Sequence, residues 1–213
     1  MTESNVNVDA DVDIDSSQNL VIVHTGCANI SSLKFAIERL GYQVNVTANT
    51  DEIIAADKVF VPGVGAAAAA MEQIAAKGLT DTLQNLQQPV LGICLGMQLL
   101  TKNSEEGAAD CLGMIDTQVT QMHSKTLTLP HMGWNQIKIE KASPLFANID
   151  DGEYFYFVHG FCVELGEHTL ASCDYSQTFS ATIQNDNYYG VQFHPERSSR
   201  AGATLLRNFI ENL

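Results

Sequence analysis

Short apolar runs alternate with helix-patterned segments over the first half of the chain. The segment 29–40 places apolar residues at helical spacing, and 66–76 is rich in alanine, a strong helix former. Buried strands are predicted at 20–24, 42–46, 58–61 and 89–94. Strands that alternate with helices indicate an α/β domain, in which a parallel sheet carries helices on both faces.

The second half of the chain is patterned mainly as strands. They are predicted at 117–121, 126–129, 136–139, 154–158, 170–173, 180–184 and 188–193. The final segment, 201–213, places Leu205, Leu206, Phe209 and Ile210 on one helical face. A length of 213 residues is enough for one domain with a substantial core.

Residues 1–19 differ in composition from the rest, because they carry several acidic residues and no basic one. We interpret 1–19 as an acidic disordered tail and 20–213 as the folded domain. The run from Asp11 to Asp15 resembles the start of a calcium-binding loop, but it lacks the glycine and closing glutamate of an EF-hand. A solvated tail is the simpler interpretation.

Charge and cysteine usage narrow the classes of function. The formal net charge of −14 repels a phosphate backbone, so nucleic-acid binding is not expected. No apolar run reaches the roughly 20 residues of a membrane span, and no secretory signal is apparent. The five cysteines are scattered without a Cys-x-x-Cys pair, so we expect no disulfide framework, no metal and no cofactor. A cytoplasmic location follows from this pattern.

The string Gly92-Ile-Cys94-Leu-Gly96 has the spacing of a nucleophile elbow, with cysteine in place of serine. It follows a predicted strand and precedes an apolar, helix-like stretch. A helix N-terminus favours negative charge and helps to hold a thiolate. A lone cysteine is more often a small core residue, but the two glycines and the strand-to-helix context favour a nucleophile.

A base for that nucleophile is available in Phe193-His194-Pro195-Glu196. Pro195 ends the predicted strand, and Glu196 is close enough in sequence to hydrogen-bond the imidazole of His194. Such a carboxylate fixes the tautomer of a catalytic histidine. A structural histidine is the alternative interpretation of His194 when it is considered alone.

A glycine-containing loop, Pro62-Gly63-Val64-Gly65, follows the third predicted strand. Thiolate attack on an amide creates an oxyanion that needs main-chain N–H donors. Leu95 is one expected donor, and this loop is the expected source of the second. Considered alone, the string is better explained as an ordinary glycine-containing loop between two elements.

Together, Gly92-Ile-Cys-Leu-Gly-Met-Gln98 and His194-Pro-Glu196 resemble the class I glutamine amidotransferases, whose triad is Cys, His and Glu. Further strings resemble the glutaminase subunits of imidazole glycerol phosphate synthase in this family. They are Thr25-Gly-Cys-Ala-Asn29, Pro62-Gly-Val-Gly65, Pro130-His-Met-Gly-Trp-Asn135, Tyr156-Phe-Val-His159 and Phe193-His-Pro-Glu-Arg-Ser-Ser199. The resemblance runs from about residue 20 to the C-terminus. It implies a flavodoxin-like, mostly parallel sheet with an antiparallel extension in the C-terminal half.

The resemblance also implies roles for individual residues. Cys94 would attack the side-chain amide of glutamine, His194 would transfer the proton, and Glu196 would orient His194. Gln98 and Gly63 would bind the substrate, and the main-chain amides of Val64 and Leu95 would form the oxyanion hole.

A partner protein is implied as well. In this family ammonia passes to a (β/α)8 cyclase subunit, which makes imidazole glycerol phosphate and an aminoimidazole carboxamide ribonucleotide in histidine biosynthesis. Asn29, Trp134, Tyr156 and Arg197 match positions that face this partner in a heterodimer. For Trp134 and Tyr156, packing in the core or at its rim is the competing interpretation.

Three other functions stay open at this point. The chain could be a class I glutaminase that serves a different synthase, which the activating partner would decide. It could be a stand-alone cysteine hydrolase for γ-glutamyl bonds, which would turn over without a partner. It could also be an inactive scaffold protein, although a scaffold has no physical need for Cys94, His194 and Glu196 together.

Overall fold

A computed structural model describes residues 15–26 and 29–213. In this part of the chain the strands are β1 (Asp15–Val23), β2 (Tyr42–Thr47), β3 (Lys58–Gly63), β4 (Val90–Cys94), β5 (Thr101–Ser104), β6 (Ala109–Asp110), β7 (Ile115–Gln121), β8 (His131–Gln136), β9 (Lys138–Ile139), β10 (Tyr154–His159), β11 (Phe161–Val163), β12 (Thr169–Asp174), β13 (Thr178–Asn185) and β14 (Tyr188–Val191). The α-helices are α1 (Ile30–Glu38), α2 (Thr50–Ile54), α3 (Ala67–Ala76), α4 (Thr80–Gln84), α5 (Leu95–Leu99) and α6 (Ser199–Asn212). Short 3₁₀ helices cover Pro144–Phe146 and Pro195–Arg197.

One large mixed sheet organises the molecule, in the order β2-β1-β3-β4-β14-β13-β11-β7-β5-β6. The strands β2, β1, β3, β4 and β14 run parallel to one another. From β14 to β13, β11 and β7 the pairing is antiparallel, and β12 pairs with β13 and β9 at the side. The expected parallel sheet with an antiparallel C-terminal extension is therefore confirmed.

Alternating side chains divide the core between the two faces of the parallel strands. One face places Ile22, Phe60 and Leu91 in a cluster that includes apolar residues of α1 and α6. The other face places Val21, Val59 and Val90 in a second cluster with apolar residues of α2, α3, α4 and α5. Neighbouring residues of a strand point to opposite faces, so both faces must be apolar and covered.

A separate two-stranded ribbon forms from β8 and β10. The strands are antiparallel, with Tyr156 opposite Trp134 and His159 opposite His131. Phe155, Phe157 and His159 are buried on one side of the ribbon, whereas Met132, Trp134 and Tyr154 on the other side are about half exposed or more. The ribbon thus has one core face and one surface face.

Several element boundaries differ from the sequence prediction. β1 begins at Asp15, five residues before its predicted start at Leu20, while residues 1–14 of the predicted tail lie outside the described residues. The predicted strand 126–129 is wrong, because those residues form bends between β7 and β8. Helices α2 and α4 have five residues each and carry too little periodicity to be predicted. In the described part of the chain, no helix is long and apolar enough to cross a membrane.

Candidate active site

The predicted elbow is present at the junction of β4 and α5. Cys94 is the last residue of β4, and Leu95 is the first residue of α5. The main chain of Cys94 adopts φ 55° and ψ −112°, a conformation that a residue with a Cβ rarely adopts. Strained backbone of this kind often marks a functional site. The thiol is therefore held at the carboxyl end of the sheet, where α/β folds bind ligands.

Sterics explain why glycines flank this cysteine. A Cβ on Gly96 would lie 1.7 Å from the carbonyl oxygen of Val61, on the neighbouring strand. A Cβ on Gly92 would lie 2.6 Å from the carbonyl oxygen of Gly96. These separations are far below contact distance, so the tight turn from β4 into α5 requires glycine on both sides of Cys94.

The adjacent strand brings the histidine and the glutamate to the same place. β14 runs parallel to β4, with Val191 opposite Ile93, so the residues that follow both strands meet at one edge. The Nδ1 atom of His194 lies 2.8 Å from Oε1 of Glu196, and both side chains are largely buried. The main-chain N–H of His194 donates to the carbonyl oxygen of Tyr156 at 2.9 Å, which ties this histidine to β10.

Electrostatics favour a protonated His194. Burial alone would lower the pKa of its imidazole, but the hydrogen bonds with Cys94 and Glu196, together with their negative charges, raise this pKa to about 10. A histidine with this pKa carries its proton at neutral pH and can deliver it to a leaving group. The cysteine of one predicted motif and the histidine and glutamate of the other thus form one interacting unit.

Gln98 lies one turn into α5 and is buried. Its Nε2 donates to the carbonyl oxygen of Phe161 at 3.1 Å and to Oε1 of Gln192 at 3.0 Å. The Nε2 of Gln192 in turn lies 3.9 Å from Sγ of Cys94. Both amide hydrogens of Gln98 are therefore used by the protein, which leaves its carbonyl oxygen as the group that can accept a hydrogen bond from a ligand.

A cavity of about 180 Å³ joins these groups. Cys94, Leu95, Gln98 and His194 line it, together with Val64, Gly65, Glu106, Val158, His159, Gly160 and Phe161. Leu95 begins a helix, where the main-chain N–H has no partner within the helix. Gly63 pairs with Cys94 across β3 and β4, so the loop that carries Val64 leaves the sheet beside the thiol.

The four residues predicted to face a partner lie at or near the surface around the triad. Trp134 and Tyr156 contact each other across the ribbon, with ring centroids 6.0 Å apart, and Trp134 is 51% exposed. Arg197 is exposed on the 3₁₀ helix that contains Glu196. Asn29 is exposed and lines a small cleft with His194 and Glu196, while Cys27 and Ala28 of the same motif lie outside the described residues.

Sequence reasoning missed Gln192, Glu106 and His159. Gln192 is fully buried in an otherwise apolar string, and a polar residue in such a position was the signal that could have identified it. Glu106 lines the cavity from the β5–β6 turn, and its Oε2 accepts from the main-chain N–H of Ala67 at 3.1 Å. No sequence pattern marks it, because acidic turn residues are common at any surface.

A cysteine on a strained strand-to-helix turn lies at the end of the mixed sheet, together with a histidine that is hydrogen-bonded to a glutamate. Residues 21–213 match the family model described as glutamine amidotransferase class-I. The chain belongs to this family.

Curated relatives place the chain more narrowly. It is 52% identical over 201 residues to the imidazole glycerol phosphate synthase subunit HisH of Vibrio cholerae, covering 92% of this chain and 99% of the relative. It is 53% identical over 196 residues to the subunit of the same name from Pasteurella multocida, with the same coverage of both chains. The HisH of Escherichia coli K12 is 52% identical over 194 residues, covering 91% of this chain and 99% of the relative. The chain is therefore a member of the HisH group.

Solved structures agree on the fold. The structure of PurLQS from Thermotoga maritima matches with a TM-score of 0.70 and 17% identity, covering 92% of this chain and 98% of the other. A structure described as a glutamine amidotransferase matches with a TM-score of 0.70 and 18% identity, covering 91% and 98%. At this low identity the likeness extends to the fold alone.

Proposed function

We propose that the chain is the glutaminase subunit of an imidazole glycerol phosphate synthase. In this role it hydrolyses glutamine to glutamate and ammonia and supplies the ammonia to a (β/α)8 cyclase subunit for histidine biosynthesis. The observation that carries the proposal is that Cys94, on a strained elbow, and His194 line one cavity, while Glu196 is hydrogen-bonded to His194. Relatives named as HisH subunits support the choice of pathway.

Cys94 is the nucleophile in the proposed reaction. Its thiolate attacks the side-chain amide carbon of glutamine, and the carbon–nitrogen bond breaks as the nitrogen takes the proton of His194. Ammonia leaves, and a glutamyl thioester stays on the sulfur. Neutral His194 then removes a proton from water, which attacks the thioester; the carbon–sulfur bond breaks, glutamate leaves, and the thiolate and imidazolium are regenerated. Glu196 stabilises the imidazolium and holds the ring in orientation.

Two main-chain amides complete the site. The N–H groups of Val64 and Leu95 are the proposed donors to the oxyanion, since both residues line the cavity beside the thiol. Gly63, opposite Cys94 in the sheet, lets the Val64 peptide approach the substrate. The donors stabilise charge that is present only during the reaction, so their alignment controls the rate.

Substrate recognition is assigned to the polar groups of the cavity that take no part in the chemical step. The carbonyl oxygen of Gln98 and the carboxylate of Glu106 both belong to cavity-lining residues and can accept hydrogen bonds. A glutamine substrate carries an α-ammonium group, which needs such acceptors. We therefore assign the α-ammonium group to Gln98 and Glu106 and the scissile amide to Cys94.

The cyclase subunit is proposed to dock beside the triad. Trp134, which is about half exposed, and Tyr156, which is partly buried, supply a pair of aromatic rings, a residue type that is enriched at the centres of interfaces. Arg197 and Asn29 extend the same surface along the 3₁₀ helix and the start of α1. A catalytic thiol must stay reduced, and the described cysteines are free, which supports a cytoplasmic location.

The proposal is tested by the release of glutamate from glutamine. The purified chain is assayed alone, and then mixed with the cyclase subunit plus its nucleotide ligand. We expect slow release alone, a large rise on mixing and no release from Cys94→Ala. Cys111→Ala is the matched control, since Cys111 is a free cysteine away from the cavity, and it should behave as the unmodified chain does.

The other outcomes have distinct meanings. Rapid turnover without a partner would indicate a stand-alone hydrolase. If activity does not rise with this cyclase but rises with another synthase, the chain is a glutaminase that serves a different pathway. Unchanged activity in Cys94→Ala would remove Cys94 from the mechanism altogether.

A further inference from the structure

Two buried histidines lie beside the cavity and have no part in the proposed chemistry. His131 on β8 and His159 on β10 face each other across the ribbon, and both are almost fully buried. Nδ1 of His131 lies 3.0 Å from Nε2 of His159. His159 also lines the cavity that holds Cys94.

Only one assignment of donors and acceptors fits the hydrogen bonds around this pair of histidines. Nδ1 of His159 lies 2.8 Å from the carbonyl oxygen of Phe161, which can only accept, so this nitrogen carries the hydrogen. In a neutral ring Nε2 of His159 then accepts, and Nδ1 of His131 donates to it. Nε2 of His131 is left as an acceptor for the Nδ2 of Asn135 at 3.4 Å. The same Nδ2 donates to the carbonyl oxygen of Asp174 at 2.8 Å, which fixes the amide orientation.

The rings are neutral and closely packed. Burial lowers the pKa of His131 to about 4. Burial also lowers the pKa of His159 to about 3; its hydrogen bond to the Phe161 carbonyl opposes this shift, and the nearby charge of His194 acts in the same direction as burial. The ring of His131 is stacked between Tyr175, at 4.0 Å between centroids, and Phe157, at 5.0 Å. The ring of His131 cannot rotate without loss of these contacts.

This chain of hydrogen bonds ends at the carbonyl oxygen of Phe161, which is also bound by Gln98. The carbonyl oxygen of Phe161 accepts from His159 and also from Nε2 of Gln98. A carbonyl oxygen has two lone pairs, so two donors satisfy it and fix its direction. The position of Gln98 therefore depends on a carbonyl that His159 holds in place.

We propose that His159, oriented by His131, is a positioning residue for glutamine binding: it fixes the Phe161 carbonyl, which orients the carboxamide of Gln98 towards the substrate. The inference rests on the proposed glutaminase function, and it assigns His159 no proton transfer. The chain Asn135–His131–His159–Phe161 acts on substrate affinity, whereas Cys94, His194 and Glu196 act on the chemical step.

Two substitutions at His159 separate this role from simple packing. His159→Phe keeps an aromatic ring but removes both hydrogen bonds of the imidazole. His159→Asn places an amide nitrogen near the position of Nδ1, so it can still donate to the Phe161 carbonyl. The variants are assayed in complex with the cyclase subunit plus its nucleotide ligand, where kcat and KM for glutamine are measured.

We expect His159→Phe to raise the KM for glutamine about tenfold while kcat stays within about threefold, since the loss is one of ground-state binding. His159→Asn should restore KM to near the unmodified value. Equal kinetics in the two variants, or a loss confined to kcat, would overturn the proposal. Glutamate release by the unmodified complex is the reference. If that release is absent, the proposed function fails independently of His159.

A second measurement needs no activity. Nitrogen-15 labelling of histidine in the unmodified chain distinguishes protonated from unprotonated ring nitrogens by NMR. We expect both His131 and His159 to be neutral with hydrogen on Nδ1 at pH 7, and the His159 signals to be absent from the His159→Asn spectrum. Hydrogen on Nε2 of either ring, or on both nitrogens, would break the chain of donors and with it the proposal.

Discussion

The two walls of the active-site cavity are built by different physical means. The elbow wall, formed by Val64, Gly65 and residues 94–98, is fixed by main-chain sterics, since a Cβ on Gly96 would lie 1.7 Å from a carbonyl oxygen. The other wall, formed by residues 158–161 and His194, is held by side-chain hydrogen bonds such as the one from His194 to Glu196. We refer to the second as the hydrogen-bonded wall.

Because of this difference, substitutions in the elbow wall should act mainly on stability, and substitutions in the hydrogen-bonded wall mainly on activity. A clash with main-chain atoms can be relieved only if a strand or helix moves, so a change in the elbow wall should destabilise the fold. A lost side-chain hydrogen bond leaves the main chain in place and should act mainly on binding or rate. Substitutions in each wall test this distinction.

Gly96→Ala should have the largest effect. We expect it to lower the free energy of unfolding by about 3 kcal/mol or more, because the new methyl group overlaps the carbonyl oxygen of Val61. Denaturant unfolding measures the change, and glutamate release should fall with it. Gly166→Ala is the matched control, since no atom lies within 4 Å of its new Cβ, and it should stay within about 0.5 kcal/mol. Equal stability of the two variants would contradict a sterically fixed elbow.

Glu196→Gln should lower kcat about 100-fold or more, since an amide neither stabilises the imidazolium nor selects the tautomer of His194. The pKa of His194 is raised to about 10, so its contribution to stability is fully present below pH 6.5 and is lost as pH rises through about 10. The stability advantage of the unmodified chain over Glu196→Gln should therefore shrink between pH 7 and pH 10. Unfolding curves at both pH values check this sign.

Glu72→Gln serves as the control for that experiment. Glu72 is an exposed carboxylate on α3, away from His194. Its replacement should alter neither kcat nor the pH dependence. A similar loss of activity in both variants would show that net charge, rather than the contact with His194, determines the rate.

Glu106→Gln should raise the KM for glutamine about tenfold and leave kcat within about threefold, because the substrate ammonium loses a charged partner. The amide oxygen can still accept from the N–H of Ala67, so the stability of the fold should be retained. Steady-state kinetics of the complex provide the measurement. Glu105→Gln is the neighbouring control, since Glu105 accepts from the N–H of Gln121 outside the cavity.

Trp134→Ala should have the smallest effect, about a fivefold weaker affinity for the cyclase subunit. Trp134 is 51% exposed, so the free energy of unfolding should change by no more than about 0.5 kcal/mol. Calorimetric titration of the cyclase subunit measures the affinity. Ile54→Ala, at a 59% exposed position on α2, is the control and should bind as the unmodified chain does. Equal affinity of the two variants would place the interface elsewhere.

The sequence was most informative where a pattern is local. The end of β1, the middle of β3 and the start of β4 are short apolar runs, and β2 alternates apolar and polar residues. The elbow and the His194-Pro-Glu196 string each lie within a few residues. That the elbow and this string lie close together in space was predictable only from the resemblance to a family. Their proximity depends on the pairing of β14 with β4, two strands that almost 100 residues separate.

Contacts between distant segments could not be predicted. The hydrogen bond from His131 to His159 joins two strands through the register of a ribbon, and no periodicity gives that register. The position of Glu106 depends on how the β5–β6 turn packs against α3. Segment 126–129 has β-branched and apolar residues, but it finds no strand partner in the structure and forms bends instead.

The two-faced ribbon also limits which changes in length the protein can tolerate. Residues that alternate along β8 and β10 go either to the core, as Phe155 and His159 do, or to the surface, as Trp134 does. Insertion or deletion of a single residue within either strand would exchange the two faces from that point onward. Chain-length variation should therefore be confined to the loops that flank the ribbon, or occur within it in steps of two residues.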